Sequence, residues 1–325
     1  MDEIGGDPGA SPFSGGLLSI LDYGDKLLVK ASHKLPFLAK LFLRFPLSAR
    51  GLLLALVGLL LLLLLPPLVA WGLRRAKRLD ANFRGETIVQ SYGLVPLLWA
   101  GGMLAFTGWL LPLRRPDCGN WWVAVVGFGV LGWIDDTWGD KRIKGLKGHF
   151  QAFFHERRVT TGFVKAVGGM VLALWLGFRL FPQAPLSLLL SAALIALSAN
   201  AINLLDLRPG RAGGVFLLCS VLLLAFAFGS EGGRGGFPLL LLVVLPALVV
   251  WERDARAKVM MGDTGSNLLG AALGLATVQM VPVGLQGVAL LGLLGLHLVA
   301  ERVSLTKMIE GNRLLRFLDS LTGAR

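Results

Sequence analysis

Apolar residues run along this chain in blocks, and the polar residues gather in short stretches between them. The first block, Gly51 to Leu73, has a leucine-rich centre that crosses roughly 30 Å of hydrocarbon at about 1.5 Å per helical residue. It stops at Arg74, Arg75, Lys77 and Arg78. Further apolar segments follow at about 91–113, 121–134, 162–180, 186–205, 213–229, 237–251, 267–281 and 283–300. Several fall short of the usual ~20 residues of a spanning helix and equally suit helices buried inside a bundle. The pattern predicts an all-α, polytopic transmembrane helix bundle of about nine to ten spans.

The ends of the chain are patterned differently. Residues 1–50 alternate apolar and basic positions through Leu27, Leu28, Lys30, Lys34, Phe37, Leu38, Lys40, Phe42, Leu43 and Arg44, as in an interfacial helix on anionic lipid. They lack the uninterrupted apolar core and small-residue cleavage site of a signal peptide. Residues 306–325, with Leu314, Leu315, Phe317, Leu318 and Leu321 among Arg313, Arg316 and Asp319, predict a surface amphipathic helix. The organisation expected is therefore an N-terminal extension (1–50), a transmembrane catalytic bundle (51–305) and a cytoplasmic tail (306–325).

Composition agrees with the membrane reading: 54% of the 325 residues are hydrophobic and only 16% are charged. The net charge of +12 reflects where lysine and arginine collect. Threading nine crossings puts most of them in 74–90, 135–161, 206–212, 252–266 and the tail, and leaves only Arg114, Arg115, Arg179 and Arg234 opposite. The positive-inside rule makes the basic side cytoplasmic, in a cell membrane. Two features conflict with this threading: the basic residues of 1–50 fall outside, and Lys165 sits within a span. No basic groove or aromatic platform points to nucleic acid. Cys118 and Cys219 form no metal-spaced pair, and His33, His149, His155 and His297 form no paired zinc site.

Three polar motifs lie at the cytoplasmic ends of apolar blocks. Asp135-Asp136 follows the 121–134 block and precedes Lys141, Arg142, Lys144 and Lys147. Hard cations such as Mg²⁺ need only one or two carboxylates beside waters and substrate phosphate, so this pair suits a metal-bridged phosphate as well as it suits a solvated, lysine-paired helix end. In Asn200-Ala-Ile-Asn-Leu-Leu-Asp206 the spacing places Asn200, Asn203 and Asp206 on one helix face, able to bind a polar ligand or to bond across helices. Met260-Met-Gly-Asp-Thr-Gly-Ser-Asn267 opens another apolar helix. There Gly262 and Gly265 permit close approach, Asp263 can hold a metal, and Thr264, Ser266 and the helix N-terminus offer donors to phosphate.

These three motifs, in this order, resemble the polyprenyl-phosphate N-acetylhexosamine-1-phosphate transferase family, which includes phospho-N-acetylmuramoyl-pentapeptide transferase and the UDP-N-acetylglucosamine:undecaprenyl-phosphate transferases. The resemblance covers most of residues 51–305. It implies a bundle of about ten transmembrane helices with a cytoplasmic site, a UDP-linked nucleotide sugar as donor, polyprenyl phosphate as acceptor, Mg²⁺ (or Mn²⁺) as cofactor and a homodimer as an assembly to look for. It implies that Asp135 and Asp136 are catalytic with Lys147 and His149 assisting, that Asp263 and Asp135 bind metal, and that Asn200, Asn203, Asp206, Gly262, Thr264 and Ser266 contact the nucleotide sugar. Asp136 is then a base for the lipid phosphate or a nucleophile in a two-step route.

Three departures accompany the resemblance. Asp206-Leu-Arg-Pro-Gly210 replaces the family's Asp-Gly-x-Asp-Gly, the histidine-rich loop is reduced to His297 before Glu301-Arg-Val-Ser304, and no tenth span follows residue 300. They motivate a catalytically silent relative that binds nucleotide or polyprenyl lipid as the alternative reading. An intramembrane aspartyl protease pairing Asp136 with Asp263 is a further one, although it leaves the basic loop and the Asn face without a role. A CDP-alcohol transferase is opposed by the absence of its Asp-Gly-x-x-Ala-Arg motif.

Overall fold

The computed structural model describes residues 49–111, 115–139, 155, 157–229, 236–320 and 322–323. The stretch read as an interfacial helix, except for its last two residues, lies outside the described residues. So does the basic stretch of sequence carrying Lys141, Arg142, Lys144, Lys147 and His149. Contacts divide the chain into two compact units, Met1–Leu61 and Leu62–Arg325. The described part of the first is the leucine-rich opening of helix α1 (Ala49–Arg75). The second holds the remainder of α1 and every other described element.

Every apolar block forms a helix. After α1 come α2 (Leu94–Leu110), α3 (Arg115–Trp122), a π-helical turn (Val123–Gly127), α4 (Phe128–Trp138), α5 (Thr161–Leu180), α6 (Pro185–Leu205), α7 (Arg211–Gly229), α8 (Phe237–Ala255), α9 (Gly262–Met280) and α10 (Val283–Arg302). Among the described residues five helices are long and apolar enough to cross a membrane: α1, α5, α6, α7 and α10. Their outward faces carry exposed leucines, such as Leu63, Leu64 and Leu68 on α1 and Leu291 and Leu298 on α10. Such a surface suits hydrocarbon, because the helices satisfy their own backbone groups.

Helix α9 is the centre of the bundle, packed chiefly against α6 and α4. It is buried almost throughout, from Thr264 to Met280, and small residues along it let its neighbours approach closely.

Three features differ from the sequence expectation. Asp135 and Asp136 do not follow their helix but belong to its last turn, since α4 runs on to Trp138. The 121–134 block starts earlier, at Arg115, and passes through the π turn, whose extra residue re-aims everything after it. The tail forms two short helices, α11 (Leu305–Gly311) and α12 (Arg313–Ser320). The break is at Asn312, whose side-chain oxygen accepts from the amides of Leu314 and Leu315 and so starts α12.

A hairpin that the apolar pattern did not announce joins α1 to α2. Strand β1 (Leu79–Ala81) pairs antiparallel with β2 (Thr87–Val89). Asn82 organises its turn, accepting from the amides of Arg84 and Glu86 and donating to Ala257 O at 3.0 Å. Past β2 the chain binds the segment leading into α9: Met260 N donates to Val89 O, Tyr92 N to Met260 O and Gly93 N to Met261 O. The hairpin therefore fixes the backbone from which the third motif starts.

Candidate active site

Helix α9 opens without a side-chain cap of its own. Its first amides are satisfied instead by Asp136, which accepts from Asp263 N at 2.9 Å through Oδ1 and from Thr264 N at 3.0 Å through Oδ2. Thr264 Oγ1 donates to the same Oδ2 at 2.6 Å. A carboxylate here both fills unsatisfied donors and meets the positive end of the helix dipole. The approach demands glycine on both sides. Gly262 has φ +74°, and a Cβ there would lie 2.7 Å from Asp136 Oδ2; a Cβ on Gly132 would lie 2.1 Å from Asp263 O.

Asp135 faces elsewhere. Its Oδ1 accepts from Thr161 Oγ1 at 2.6 Å, and its Oδ2 meets Lys165 Nζ at 2.6 Å. The same ammonium donates to Asp263 Oδ2 in a short contact. With the Asn203 amide oriented to satisfy its surroundings, its nitrogen donates to Asp263 Oδ1 at 3.1 Å and Ser266 Oγ at 3.0 Å. Its oxygen then accepts from Lys165 Nζ at 3.3 Å. Four helices, α4, α5, α6 and α9, thus bring one cation, two carboxylates and a carboxamide together.

A cleft of about 360 Å³ opens beside this cluster, lined by Asn203, Asp206, Asp263, Ser304 and Leu305 among others. Asp206 caps the end of α6 at the cleft wall. Burial, and then the carboxylates of Asp254, Asp263 and Asp136, push it well above the usual carboxylate range. Asp254, only 4% exposed, accepts from Gly210 N at 2.7 Å and from Met261 N at 3.1 Å, tying the loop after the second motif to the start of the third. Burial pushes its carboxyl up to about 6.

The predicted residues therefore divide. Asp135, Asp263, Asn203 and Asp206 come together at the cluster and the cleft. Asn200 is half-buried one turn back on α6. Thr264 and Ser266 are fully buried, with their hydroxyls on Asp136 and Asn203; they build the site instead of offering donors to a ligand, the part their sequence positions suggest. Gly262 serves the approach of Asp136. His297 lies within α10, its Nδ1 2.7 Å from Leu293 O. Lys147 and His149 lie outside the described residues. The protease reading loses its dyad, since both oxygens of Asp136 face donors of Asp263 and Thr264 where a shared proton would be needed.

Sequence reasoning missed Lys165, Thr161 and Asp254. A lone lysine in an apolar span was the available signal for the first, because an intramembrane charge needs a partner. Thr161, one turn before it, shares its face. Asp254 was hidden in the charged run Glu252-Arg-Asp-Ala-Arg256, which reads as an ordinary helix end.

The donor set fits a hard divalent cation. Among the described residues no three His, Cys, Asp or Glu side chains cluster as a closed metal cage. Mg²⁺ asks for less: one or two carboxylates, with waters and ligand phosphate completing its shell. Asp135 and Asp263 reach a common cation already, the Lys165 ammonium.

Residues 120–281 match the model described as glycosyl transferase family 4. The phospho-N-acetylmuramoyl-pentapeptide-transferase of Chlamydia felis is 31% identical over 205 residues, 56% of this chain and 59% of the relative. The decaprenyl-phosphate N-acetylglucosaminephosphotransferase of Mycolicibacterium smegmatis is 31% identical over 222 residues, 64% of this chain and 46% of the relative. The chain thus spans about half the length of these curated relatives.

Proposed function

We propose, on the premise that residues 120–281 carry a glycosyl transferase family 4 domain, that this protein is an integral membrane phosphoglycosyl transferase. It moves a sugar-1-phosphate, an N-acetylhexosamine-1-phosphate by the names of its relatives, from a UDP-linked nucleotide sugar to polyprenyl phosphate in cell-envelope polymer synthesis. The observation that carries the reading is the convergence of Asp135 and Asp263 on one cation beside a cleft walled by Asn203 and Asp206. The bundle has nine to ten spans with this cleft on the cytoplasmic face, a placement supported by the lysines and arginines that accompany the three motifs in the sequence.

In the reaction an oxygen of the lipid phosphate attacks the sugar-proximal phosphorus. The bond from that phosphorus to the bridging oxygen breaks, and nucleoside monophosphate leaves. Two anions must meet, so charge neutralisation and in-line orientation are the main requirements. A bound Mg²⁺ supplies Lewis-acid neutralisation of the diphosphate. Asp135 and Asp263 would hold it, and Asn203 orients Asp263. Asp206 contacts the nucleotide sugar in the cleft. Asp136 acts as a positioning residue: its bonds to the first amides of α9 set where Asp263 projects. Lys147 and His149, which follow Asp135-Asp136 in the sequence, assist with the pyrophosphate.

The test is transfer of radiolabelled sugar phosphate from a panel of nucleotide sugars to undecaprenyl phosphate by purified protein with Mg²⁺, beside Asp263→Asn. Metal-dependent lipid-linked product, lost in the variant, is expected. Folded protein that binds nucleotide sugar and yields no product from any donor would replace this reading with that of a silent, ligand-binding relative.

A further inference from the structure

Lys165 is the one Lys or Arg among residues 161–178, in a helix that is otherwise apolar there. An ammonium in such a helix persists where it is fully partnered. Lys165 is: its three N–H groups are matched by Asp135 Oδ2, Asp263 Oδ2 and Asn203 Oδ1, three oxygens from three different helices. Thr161, one turn earlier on the same face, donates to the other oxygen of Asp135, so this edge of α5 is shaped to the cluster.

Three converging oxygens, two of them anionic, are also what a divalent cation would take. Ammonium and metal exclude each other from that set, for two reasons. An Mg²⁺–oxygen distance is about 2.0–2.1 Å, so oxygens gathered round an ammonium must close further round a metal with no atom between them. Two like charges sharing two carboxylates at contact distance also repel strongly in a half-buried site.

We propose that the Lys165 ammonium is a tethered stand-in for the divalent cation, holding Asp135, Asp263 and Asn203 together in the metal-free protein and yielding its place when metal binds. The proposal rests on the metal-dependent reading above. It gives Lys165 two effects of opposite sign: it keeps two neighbouring carboxylates from repelling each other, and it competes with the ion they are there to bind. The site is preorganised at the cost of weaker metal affinity, and the ligand shell stays assembled between turnovers.

The test uses the full chain in lipid nanodiscs and Mn²⁺ as the probe, with free Mn²⁺ read by electron paramagnetic resonance. Removing the competitor should tighten Mn²⁺ binding by about tenfold in Lys165→Met, and Lys165→Arg, which keeps a cation, should stay near the wild type. Without metal Lys165→Met should melt below the wild type, and saturating Mn²⁺ should narrow the gap. A second readout needs no variant: reductive methylation of Lys165, followed by mass spectrometry, should rise several-fold when Mn²⁺ is added. Unchanged or weaker Mn²⁺ affinity in folded Lys165→Met, or methylation that Mn²⁺ leaves unchanged or slows, overturns the proposal and leaves the metal site standing. Absence of Mn²⁺ binding in wild type and Lys165→Met alike, or binding that Asp263→Asn does not reduce, removes the metal reading and the proposal with it.

Discussion

Asp136→Asn should destabilise the protein, and Asp135→Asn should do so much less. Asp136 accepts three hydrogen bonds, one on Oδ1 and two on Oδ2, from the start of α9. A carboxamide has one oxygen, so either Asp263 N or the two donors of Thr264 then face an NH₂ group. Each buried donor left unmade costs about 1–3 kcal/mol. Removing the negative charge from the helix N-terminus adds roughly 0.3–1 kcal/mol, more where it is partly buried. Together these predict a loss of about 2–4 kcal/mol, centred on the first turn of α9. Asp135→Asn leaves that turn capped and removes a bond to Lys165 that Asp263 and Asn203 continue to supply. The assay is hydrogen exchange read by mass spectrometry over residues 260–268 in nanodiscs, beside thermal unfolding. Faster exchange of this segment in Asp136→Asn and near wild-type exchange in Asp135→Asn are expected. Equal protection and equal melting in both variants would refute the view that the two aspartates have different work.

Other consequences arise from the same geometry. Gly262→Ala places a Cβ 2.7 Å from Asp136 Oδ2 in a backbone at φ +74°, so α4 and α9 must separate; transfer activity and Mn²⁺ affinity should each fall by about tenfold or more. Asp319→Ala leaves the guanidinium of Arg211, 2% exposed, without the carboxylate that it meets at 2.6 and 3.0 Å. That should cost about 3–5 kcal/mol, and Arg211→Met in the same chain should recover most of it in a denaturation-based double-mutant cycle. Asp254 rises from 3.8 to about 6 in the folded protein. The folded state therefore holds this proton more tightly than the unfolded one. Its contribution is full below about pH 4 and is lost as pH rises through about 6, a fall of roughly 3 kcal/mol. Asp254→Asn should flatten that part of a plot of thermal unfolding against pH.

The helices were legible because length and apolar content decide them locally: each block from Gly51 to Ala300 became one. Their ends were less so. The expected stop of α4 before Asp135 assumed that charge terminates a helix, yet it runs to Trp138, where Gly139 turns extended. The hairpin at 79–89 escaped because its strands are three residues each, too short for a period to register. The three motifs named Asp135, Asn203 and Asp263, which the structure brings together, and a single charge out of place in a span, Lys165, is their common partner. What no local pattern could reveal was who caps α9. Rules for helix starts look at the few residues before the first turn, whereas here the acceptor lies 127 positions upstream.

That distant cap also explains why the first motif is a doublet. Successive residues on an α-helix point about 100° apart. Of two adjacent aspartates on the last turn of α4, one can therefore face the N-terminus of α9 while the other faces Thr161 and Lys165. A single carboxylate could do either, but if it bound the cation it would leave the first amides of α9 without their acceptor. If it capped the helix, the cation would have Asp263 alone. Separated aspartates on different helices would let the two functions drift apart as the bundle flexes. Placed side by side, Asp135 and Asp136 move as one rigid turn, so the carboxylate that fixes Asp263 and the carboxylate that works beside it keep their spacing. The order within the pair matters accordingly: exchanging their roles would require α4 to rotate, which Gly132, in contact with Asp263 O, leaves no room for.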